Sequence, residues 1–382
     1  MRFLHTSDWH LGKSDGETSL LEDQKFFIQE ICRVITEQKV DAVLIAGDVF
    51  DRSLASAESL RLYNLATESI RLGCNVPVCI IAGNHDGAAL LECNGPILSL
   101  SGLHLRGGLD ADLAPVSIGD AEIFLLPWIT EEKVKAVFPE EKENVTDLAD
   151  AYAVVTGKMR ELFTPDKRHI LLAHAYAADA ETSTSDRAAE IGFAAQIPVS
   201  VFDGFDYVAL GHLHGPQKIS GTVRYCGTPM PYSFGKEETQ TKGVLIVDTE
   251  TLEQTFVPIP VLHKRTTLKG TLEELLTLEC DEATRQGFVR LEVTDSYVGL
   301  AALSDLKEKY AHILDVKDKT FEKTDSSIVL TLEDLERMEG DPMEVFRSFC
   351  REQTEDEAGE HFEELFAQAV NEVERTEENE TN

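Results

Sequence analysis

The stretch Arg2-Phe3-Leu4-His5-Thr6-Ser7-Asp8-Trp9-His10 joins a short apolar run to an aspartate and a histidine. The same arrangement returns four more times along the chain, where runs rich in Ile, Leu, Val and Ala end in residues of metal-binding type. The five endings are Asp8-Trp9-His10, Gly47-Asp48, Gly83-Asn84-His85-Asp86, His174 and Gly211-His212-Leu213-His214. Open α/β sheets bind their ligands beyond the carboxyl ends of the strands. The pattern therefore predicts a sheet protein whose strand ends converge on one metal site.

Seven runs in the first 250 residues have the length and apolar content of strands covered on both faces. These runs are Arg2–Ser7, Ala42–Ala46, Val78–Ala82, Glu122–Leu126, His169–Ala173, Tyr207–Leu210 and Val244–Val247. Two longer segments, Leu20–Lys39 and Ser59–Leu72, carry apolar residues at helical spacing. The alternation of strands and helices predicts an α/β layered fold.

The pattern of apolar runs changes after Val257-Pro258-Ile259-Pro260, a segment that is typical of a linker. Residues 1–258 are therefore predicted to form the metal-binding domain, and residues 263–330 a small α+β domain. Residues 332–373 are predicted to form two acidic amphipathic helices that must pack on a surface, either that of their own domain or that of another chain. Residues 374–382 are polar and expected to be disordered.

The residues at the strand ends favour a pair of transition-metal ions. Asp8 with His10, and His212 with His214, are two residues apart, so each pair can point to the same side of a strand end. The predicted ligands are two carboxylates, one amide oxygen and four imidazoles: Asp8, His10, Asp48, Asn84, His174, His212 and His214. This set is too rich in nitrogen for Ca²⁺ or Mg²⁺ and contains no thiolate, so it suits Mn²⁺, Fe²⁺ or Zn²⁺. Because roughly seven ligands serve two ions, one carboxylate must bridge them.

Such a site favours an anionic substrate. Two divalent ions outweigh the charges of Asp8 and Asp48, and they can hold a phosphodiester while activating water for in-line attack. The leaving oxygen then needs a proton or a charge partner. His85 directly follows Asn84 and is the predicted catalytic residue.

The composition constrains what surrounds the site. The formal net charge is -34, and the chain from Glu333 onward holds 18 acidic and 4 basic residues. Nucleic-acid-binding proteins usually present a basic face, so DNA would have to be held by the metal ions or by a basic partner. The acidity is equally well explained by solubility or adaptation to salt.

Three further features favour a cytoplasmic location. The seven cysteines are scattered and contain no CxxC pair, which is typical of a reducing compartment. No apolar run is long enough for a membrane span, and the N-terminus does not have the pattern of a signal peptide.

The five motifs together resemble the signature of the calcineurin-like metallophosphoesterases. The forms His5-Thr6-Ser7-Asp8-Trp9-His10-Leu11-Gly12 and Asp206-Tyr207-Val208-Ala209-Leu210-Gly211-His212 are similar, more specifically, to the bacterial SbcD family of nuclease subunits. The resemblance covers about residues 1–250. It implies a four-layer β-sandwich flanked by helices, followed by a small α+β capping domain and C-terminal helices.

The resemblance also implies how the ligands are shared. Two Mn²⁺ ions are expected, with Asp48 bridging and His85 as the histidine that stabilises the transition state. One ion would be held by Asp8, His10, Asp48 and His214. The other would be held by Asp48, Asn84, His174 and His212.

The activity implied is that of an ATP-dependent 3′–5′ double-strand exonuclease and an endonuclease on hairpins and single strands, acting in DNA repair, recombination and replication. ATP would bind to a partner, an SbcC-like ATPase with a long coiled coil, because no GxxxxGK[ST] motif occurs in this chain. The partner would dock on the tail helices. A homodimer within a two-plus-two heterotetramer is expected.

One position departs from the pattern of the archaeal and eukaryotic relatives. They carry a second active-site histidine where this chain has Asp51, so the role of that histidine is not carried over. The form Gly-Asp-x-x-Asp-Arg also occurs in Ser/Thr protein phosphatases, where the arginine grips phosphate. Arg52 is therefore a candidate for phosphate binding, and pairing with Asp51 is an equally good interpretation.

Two other functions agree with part of the sequence. Another member of the superfamily, such as a protein phosphatase, a cyclic-nucleotide phosphodiesterase or a nucleotidase, would have the same metal site. The 120 or so residues after the catalytic domain argue against these enzymes, because a minimal phosphatase does not need them. A non-catalytic scaffold should lack ligands, and every expected ligand is present.

Overall fold

The structure is a computed structural model that describes residues 1–16, 18–178, 180–182, 196–296, 298–318 and Phe366. Apart from Phe366, the predicted tail helices of 332–373 and the final residues 374–382 lie outside the described residues. Within the described part of the chain, no helix is both long and apolar enough to span a bilayer.

Fourteen strands lie among the described residues before position 259. In chain order they are β1 (Arg2–Thr6), β2 (Ser14–Asp15), β3 (Thr18–Ser19), β4 (Ala42–Ala46), β5 (Val78–Ile81), β6 (Leu103–Arg106), β7 (Val116–Ile118), β8 (Ala121–Leu126), β9 (Arg168–His174), β10 (Tyr207–Gly211), β11 (Gln217–Lys218), β12 (Val223–Tyr225), β13 (Gly243–Asp248) and β14 (Gln254–Pro258). Two sheets of six strands result, with the orders β14-β13-β1-β4-β5-β6 and β11-β12-β10-β9-β8-β7. All seven predicted strands are present, and they supply the centres of both sheets.

Helices connect these strands. They are α1 (Leu21–Gln38), α2 (Ala57–Glu68), α3 (Ala88–Leu91), α4 (Gly95–Ser99), α5 (Glu131–Val137), α6 (Leu148–Arg160) and α7 (Lys236–Thr239). A π-helical turn, Ser69–Gly73, extends α2, and 3₁₀ turns lie at Pro139–Glu141 and Val199–Phe202. The two predicted helices correspond to α1 and to α2 with its π-helical extension.

The strands are apolar on both faces because both faces are covered. Phe3 and Leu44 of the first sheet pack with Ile170 and Tyr207 of the second in one fully buried cluster. The alternate residues of the first sheet pack beneath α1 and α2, and those of the second sheet pack beneath α6. Each fully buried side chain of this size contributes about 1.5–3 kcal/mol. The four layers, helix, sheet, sheet and helix, confirm the predicted fold class.

Helix α1 shows how the sequence sets one of these layers. Its apolar positions recur at helical spacing and face the sheet: Phe27, Ile28, Ile31, Val34 and Ile35. The helix ends where Lys39 takes the left-handed conformation, and the Lys39 backbone N–H then caps carbonyls of the last turn.

The predicted linker was wrong for its first two residues. Val257 pairs with Val244 and Pro258 pairs with Gly243, so β14 continues to Pro258. A proline is tolerated there because β14 is an edge strand and Pro258 is its last residue. The Pro-x-Pro pattern was therefore a signal for a strand end.

Beyond the linker the elements are shorter. They are β15 (Arg265–Gly270), α8 (Leu272–Thr277), α9 (Glu282–Gln286), β16 (Phe288–Val293), α10 (Leu300–Lys309) and β17 (His312–Lys317). The three strands form one sheet. By its contacts the chain forms two compact units, of which the first contains Met1–Leu268, Glu279–Arg290 and Lys307–Asp315. Residues Lys269–Leu278, Leu291–Leu306 and the described residues from Val316 belong to the second.

Candidate metal centre

All seven predicted ligands lie at the carboxyl ends of five parallel strands. Strands β1, β4 and β5 run parallel in the first sheet, and β9 and β10 run parallel in the second. His174 is the last residue of β9, and His212 follows the last residue of β10. Backbone hydrogen bonds join the loops, since the Asp8 amide donates to the Gly47 carbonyl at 3.0 Å and the His10 amide to the Asp48 carbonyl at 2.9 Å. Backbone hydrogen bonds therefore hold these strand ends together independently of any contact between the ligand side chains.

Four of the ligands occupy backbone conformations that L-residues rarely adopt. The φ angles are 53° for Asp8, 43° for His10, 48° for Asp48 and 108° for His212. Positive φ costs on the order of 1–3 kcal/mol for a residue other than glycine, and it persists only where the surroundings enforce it. The chain therefore turns sharply at these residues and points their side chains into the space between the strand ends.

Glycines permit the close approach of these turns. A Cβ atom at Gly83 would collide with the side chain and amide of Asp48, and one at Gly211 would collide with the carbonyl of Ala46. Larger residues at Gly83 or Gly211 would push the loops apart, which explains the glycine before Asn84 and before His212.

Asp8, His10 and His214 form the first group of potential ligands. Their donor atoms lie within 4.8 Å of one another, and the Nε2 atoms of His10 and His214 are 3.2 Å apart. Burial lowers the pKa of both histidines well below its ordinary value, and each is lowered further by neighbouring positive charge. Burial also raises the pKa of Asp8 to about 7, assisted by Asp48 and opposed by His174. The imidazoles are therefore uncharged, as a metal ligand requires.

Asp48, Asn84, His174 and His212 form the second group. The Asn84 Oδ1 atom lies 3.0 Å from His174 Nε2 and 3.1 Å from His212 Nδ1, and His174 Nε2 lies 3.4 Å from Asp48 Oδ2. Asp8, Asp48 and His174 also offer donor atoms within 4.8 Å of one another. Burial alone would raise the pKa of Asp48, but the charge of His174 and its hydrogen bond hold that pKa well below the ordinary value. Burial lowers the pKa of His174, but the charge of Asp48 and its hydrogen bond outweigh burial and raise that pKa to about 9. An ion bound here would therefore displace a proton from His174.

The residues present fit a pair of divalent ions. The Nδ1 atom of His212 faces the second group, 3.1 Å from Asn84 Oδ1, and the other ring nitrogen, Nε2, is buried without a hydrogen-bond partner. His174 donates its Nδ1–H to the Ala46 carbonyl at 2.8 Å, which leaves Nε2 as the donor atom on the side of Asp48. Asp48 lies within 4 Å of both His10 and His174 and so faces both groups. A donor set of carboxylate, amide oxygen and imidazole suits Mn²⁺, Fe²⁺ or Zn²⁺.

His85 is held at the edge of this centre by its own backbone and ring. Its amide donates to Asp48 Oδ1 at 2.9 Å, and its Nδ1–H donates to the carbonyl of Asp51 at 3.0 Å. The Nε2 atom lies on the side of the metal ligands, 4.0 Å from Asp48 Oδ2. His85 therefore borders the predicted ligands, and its catalytic role stays a prediction.

Asp51 lies in the wall of the centre, and Lys13 is its closer cationic partner. The Lys13 Nζ atom is 2.9 Å from Asp51 Oδ1, whereas the Arg52 Nε atom is 3.8 Å from Asp51 Oδ2. The side chain of Arg52 is 79% exposed. The sequence suggested Arg52 as the partner of Asp51. It gave no sign of Lys13, because Lys13 is 38 positions from Asp51 in the chain.

Sequence reasoning also missed the groups that hold the ligands in place. Asp86 accepts backbone N–H groups from Val49 at 3.1 Å, Phe50 at 2.8 Å and Gly83 at 2.8 Å, and so ties the loop after β4 to the loop after β5. Burial and the nearby Asp48 raise the pKa of Asp86 to about 6. The only sequence signal was the position of Asp86 directly after Asn84 and His85.

Three further contacts support individual ligands. Gln24 donates to the His10 carbonyl at 2.7 Å, and Lys242, which is buried against Glu237, donates to the His214 carbonyl at 2.9 Å. The indole of Trp128 stacks on the ring of His212, with centroids 5.4 Å apart and planes 26° apart. These contacts come from distant parts of the chain, so no local pattern predicts them.

The described histidines that are neither predicted ligands nor His85 have partners outside the centre. His5 bonds with Tyr207 Oη and the Leu210 carbonyl, His104 with Ser99, His169 with the Thr164 carbonyl and His263 with Asp23. His312 packs against His263 and Phe288. His361 lies outside the described residues.

Comparison with known proteins supports the same interpretation. The model of the family described as calcineurin-like phosphoesterase matches residues 1–216, and that of the type 5 capsule protein repressor C-terminal domain matches residues 261–354. A Staphylococcus epidermidis protein, named as the D subunit of the SbcCD nuclease, is 28% identical over 330 residues, 85% of this chain and 87% of that protein. A protein of the same name from Staphylococcus saprophyticus is 27% identical over 325 residues, 84% of this chain and 86% of that protein. The crystal structure of TT1561 of Thermus thermophilus shares 12% identity, covers 68% of this chain and 99% of its own, and has a TM-score of only 0.40.

Proposed function

This chain belongs to the calcineurin-like phosphoesterase family, and on that premise we propose that it is the Mn²⁺-dependent nuclease subunit of an SbcCD-type complex. The substrate proposed is DNA, cleaved as an endonuclease at hairpins and single strands and, with a partner and ATP, as a 3′–5′ exonuclease on duplex ends. The two relatives that are named as nuclease subunits align over 84–85% of this chain, which supports a nuclease over a minimal phosphatase.

The proposal gives each ligand a task. Asp8, His10, Asp48 and His214 would hold one ion, and Asp48, Asn84, His174 and His212 the other. When bound, the two ions would polarise the phosphodiester and activate water for the attack. Asp48 would be shared by the two ions, because its carboxylate lies within 4 Å of both His10 and His174.

His85 is the residue proposed to protonate the leaving oxygen. Its Nδ1–H is engaged with the Asp51 carbonyl, so the proton for the leaving group comes from Nε2. The bond between the His85 amide and Asp48 sets the position of the histidine relative to the bridging carboxylate. Arg52, with its exposed guanidinium beside Asp51, is proposed to contact a substrate phosphate.

The remainder of the chain is proposed to engage the partner. Residues 263–330 would act as a capping domain, and residues 332–373 as the helices that bind an SbcC-like coiled-coil ATPase within a two-plus-two assembly. A basic partner would also resolve the charge problem, because a chain of net charge -34 cannot hold DNA through its own field. The cytoplasm is the proposed location.

The observation that carries the proposal is the convergence of seven predicted ligand side chains from five strand ends, with His85 at the edge of the cluster. The test is to incubate the purified chain and Mn²⁺ with hairpin DNA, bis-p-nitrophenyl phosphate and p-nitrophenyl phosphate. We expect the hairpin and the diester to be cleaved well and the monoester poorly. The matched control is His104→Asn, which alters a histidine outside the centre and should cleave like the wild type.

The result that would contradict the proposal is efficient hydrolysis of the monoester with intact DNA. The DNA would have to remain uncleaved even when the partner and ATP are present, because duplex digestion is proposed to need both. The chain would then be a phosphatase of the same family.

A further inference from the structure

Trp128 borders the second group of predicted ligands with an indole ring that is only partly buried. The ring stacks on His212, with planes 26° apart, and meets the ring of His174 edge to face with centroids 6.0 Å apart. Trp128 follows β8, which runs parallel to β9, and its amide donates to the Ala82 carbonyl at 2.9 Å. The indole is therefore held at the same sheet edge as the predicted ligands.

The two tryptophans of the chain differ in their surroundings. Trp9 is fully buried, and its indole N–H donates to the Thr6 hydroxyl at 2.9 Å, as is usual for a buried tryptophan. The indole N–H of Trp128 has no acceptor among the described residues. Because His212 covers one face of the Trp128 ring, the exposed surface belongs to the other face and to the rim. Trp128 thus presents aromatic surface and a hydrogen-bond donor beside the centre.

Support of His212 does not by itself account for this exposure. Tyr176 also lies next to His212, with ring centroids 6.0 Å apart, and it is only 6% exposed. Its hydroxyl accepts a hydrogen bond from Gln196 at 3.0 Å. Tyr176 therefore has the features of a ring that only supports a neighbour, whereas Trp128 leaves surface available to a ligand.

We propose that Trp128 stacks on an unpaired nucleobase of the strand whose phosphodiester is held at the metal centre. The inference rests on the proposed function and names a feature by which the centre recognises its substrate. Stacking of a base on an aromatic side chain tolerates any sequence, because every base has a flat aromatic face. The net charge of -34 opposes contacts with phosphates but does not oppose stacking.

The proposed contact also selects the form of the DNA. A base inside a duplex is already stacked on its neighbours, and freeing it costs energy. Stacking on Trp128 therefore favours hairpin loops and single strands, which are the proposed substrates of the chain without its partner.

Tryptophan fluorescence tests the contact directly, because Trp9 is shielded from solvent and Trp128 is the other tryptophan of the chain. The full chain with His85→Ala and Mn²⁺ is titrated with a short oligothymidylate, which this variant is expected to bind without cutting. A strand of the same length in which every nucleotide is abasic carries the same phosphates and serves as the comparison. We expect the thymidine strand to quench the emission and the abasic strand to leave it unchanged. When Trp128→Phe is added to His85→Ala, the remaining emission of Trp9 should respond to neither strand.

Cleavage of the same two strands separates stacking on the substrate from support of His212. Trp128→Leu keeps an apolar side chain against His212 but has no aromatic face. We expect the ratio of kcat/KM for the thymidine strand to kcat/KM for the abasic strand to fall about 5–150-fold in Trp128→Leu. Trp128→Phe retains a ring and should keep most of that ratio. Loss of support for His212 would instead lower cleavage of both strands alike, together with the number of Mn²⁺ ions found by elemental analysis.

Phe163→Leu is the matched control for this substitution. Phe163 is also partly buried and stacked on a histidine, His169, with planes 3° apart, but it lies outside the centre. The ratio for the two strands should be that of the wild type in Phe163→Leu.

The inference is overturned if the thymidine strand binds without quenching the emission, or if Trp128→Leu lowers cleavage of both strands by the same factor. These measurements also distinguish it from the proposed function. Cleavage of the thymidine strand by the wild type, without any quenching in His85→Ala, contradicts the inference alone. Quenching that depends on Trp128, in a chain that cuts neither the strand nor a hairpin, leaves a base-binding site and contradicts the nuclease. Absence of both quenching and cleavage contradicts both.

Discussion

Asp86→Asn is the most direct test of how the loops around the centre are held. The carboxylate accepts three backbone N–H groups, with Phe50 on one oxygen and with Val49 and Gly83 on the other. An asparagine of the same shape keeps one oxygen, so it leaves at least one of these amides facing an NH₂ group. An unsatisfied buried N–H group costs about 1–3 kcal/mol. The loops should therefore open about 5–150 times more often, since 1.36 kcal/mol corresponds to a factor of ten.

Hydrogen exchange read by mass spectrometry measures this opening locally. Peptides that contain Phe50 and Gly83 should exchange faster by that factor in Asp86→Asn, and faster still in Asp86→Ala, which leaves all three amides without an acceptor. Asp112→Asn is the control, because Asp112 is exposed and accepts only the amide of Ala114. Unchanged exchange at Phe50 and Gly83 in both variants would refute the view that Asp86 holds the loops together.

Four other outcomes are expected. His85→Ala should keep both metal ions and lose cleavage by on the order of 10²–10⁴-fold, the usual contribution of a general acid; loss of metal in elemental analysis would contradict this role. Asp48→Ala should lose both ions because one carboxylate serves both, so two tightly held ions in this variant would sink the bridging assignment. Burial lowers the pKa of His5 from its ordinary 6.5 to about 3. The unfolded chain therefore binds one more proton than the folded chain, and the free energy of unfolding falls as the pH drops below 6.5. His5→Gln should reduce the slope of this free energy against pH by up to about 1.4 kcal/mol per pH unit, and an unchanged slope would argue against this contribution of His5. Truncation before Leu332 should leave Mn²⁺-dependent hairpin cleavage intact and abolish binding of the ATPase partner in a pull-down, whereas unchanged binding would place the partner site elsewhere.

The strands and the ligands could be predicted because both are encoded locally. A continuous apolar run such as Ala42–Ala46 has one good solution, a strand covered on both faces. Asp48 then follows within two residues, so its place at the strand end requires no knowledge of distant parts of the chain. The same holds for His174, which is itself the last residue of its strand.

The contacts that hold the ligands in place could not be predicted, because they join residues that are far apart in the sequence. Lys13 meets Asp51, Trp128 meets His212 and Lys242 meets the His214 carbonyl only after the two sheets have packed. The linker prediction was wrong at Pro258 for a different reason, since proline is compatible both with a linker and with the last residue of an edge strand. Local composition does not distinguish these two cases.

The positive φ angles of Asp8, His10, Asp48 and His212 have a consequence for protein engineering. Glycine would relax the backbone at each of these turns, but at Asp8 and Asp48 it would also remove the acceptor of a buried amide. A selection for heat resistance alone should therefore favour glycine at His10 and His212. Such a selection would enrich variants that unfold at a higher temperature but have lost predicted metal ligands. A screen that rewards thermal tolerance in this protein therefore has to score turnover in the same round.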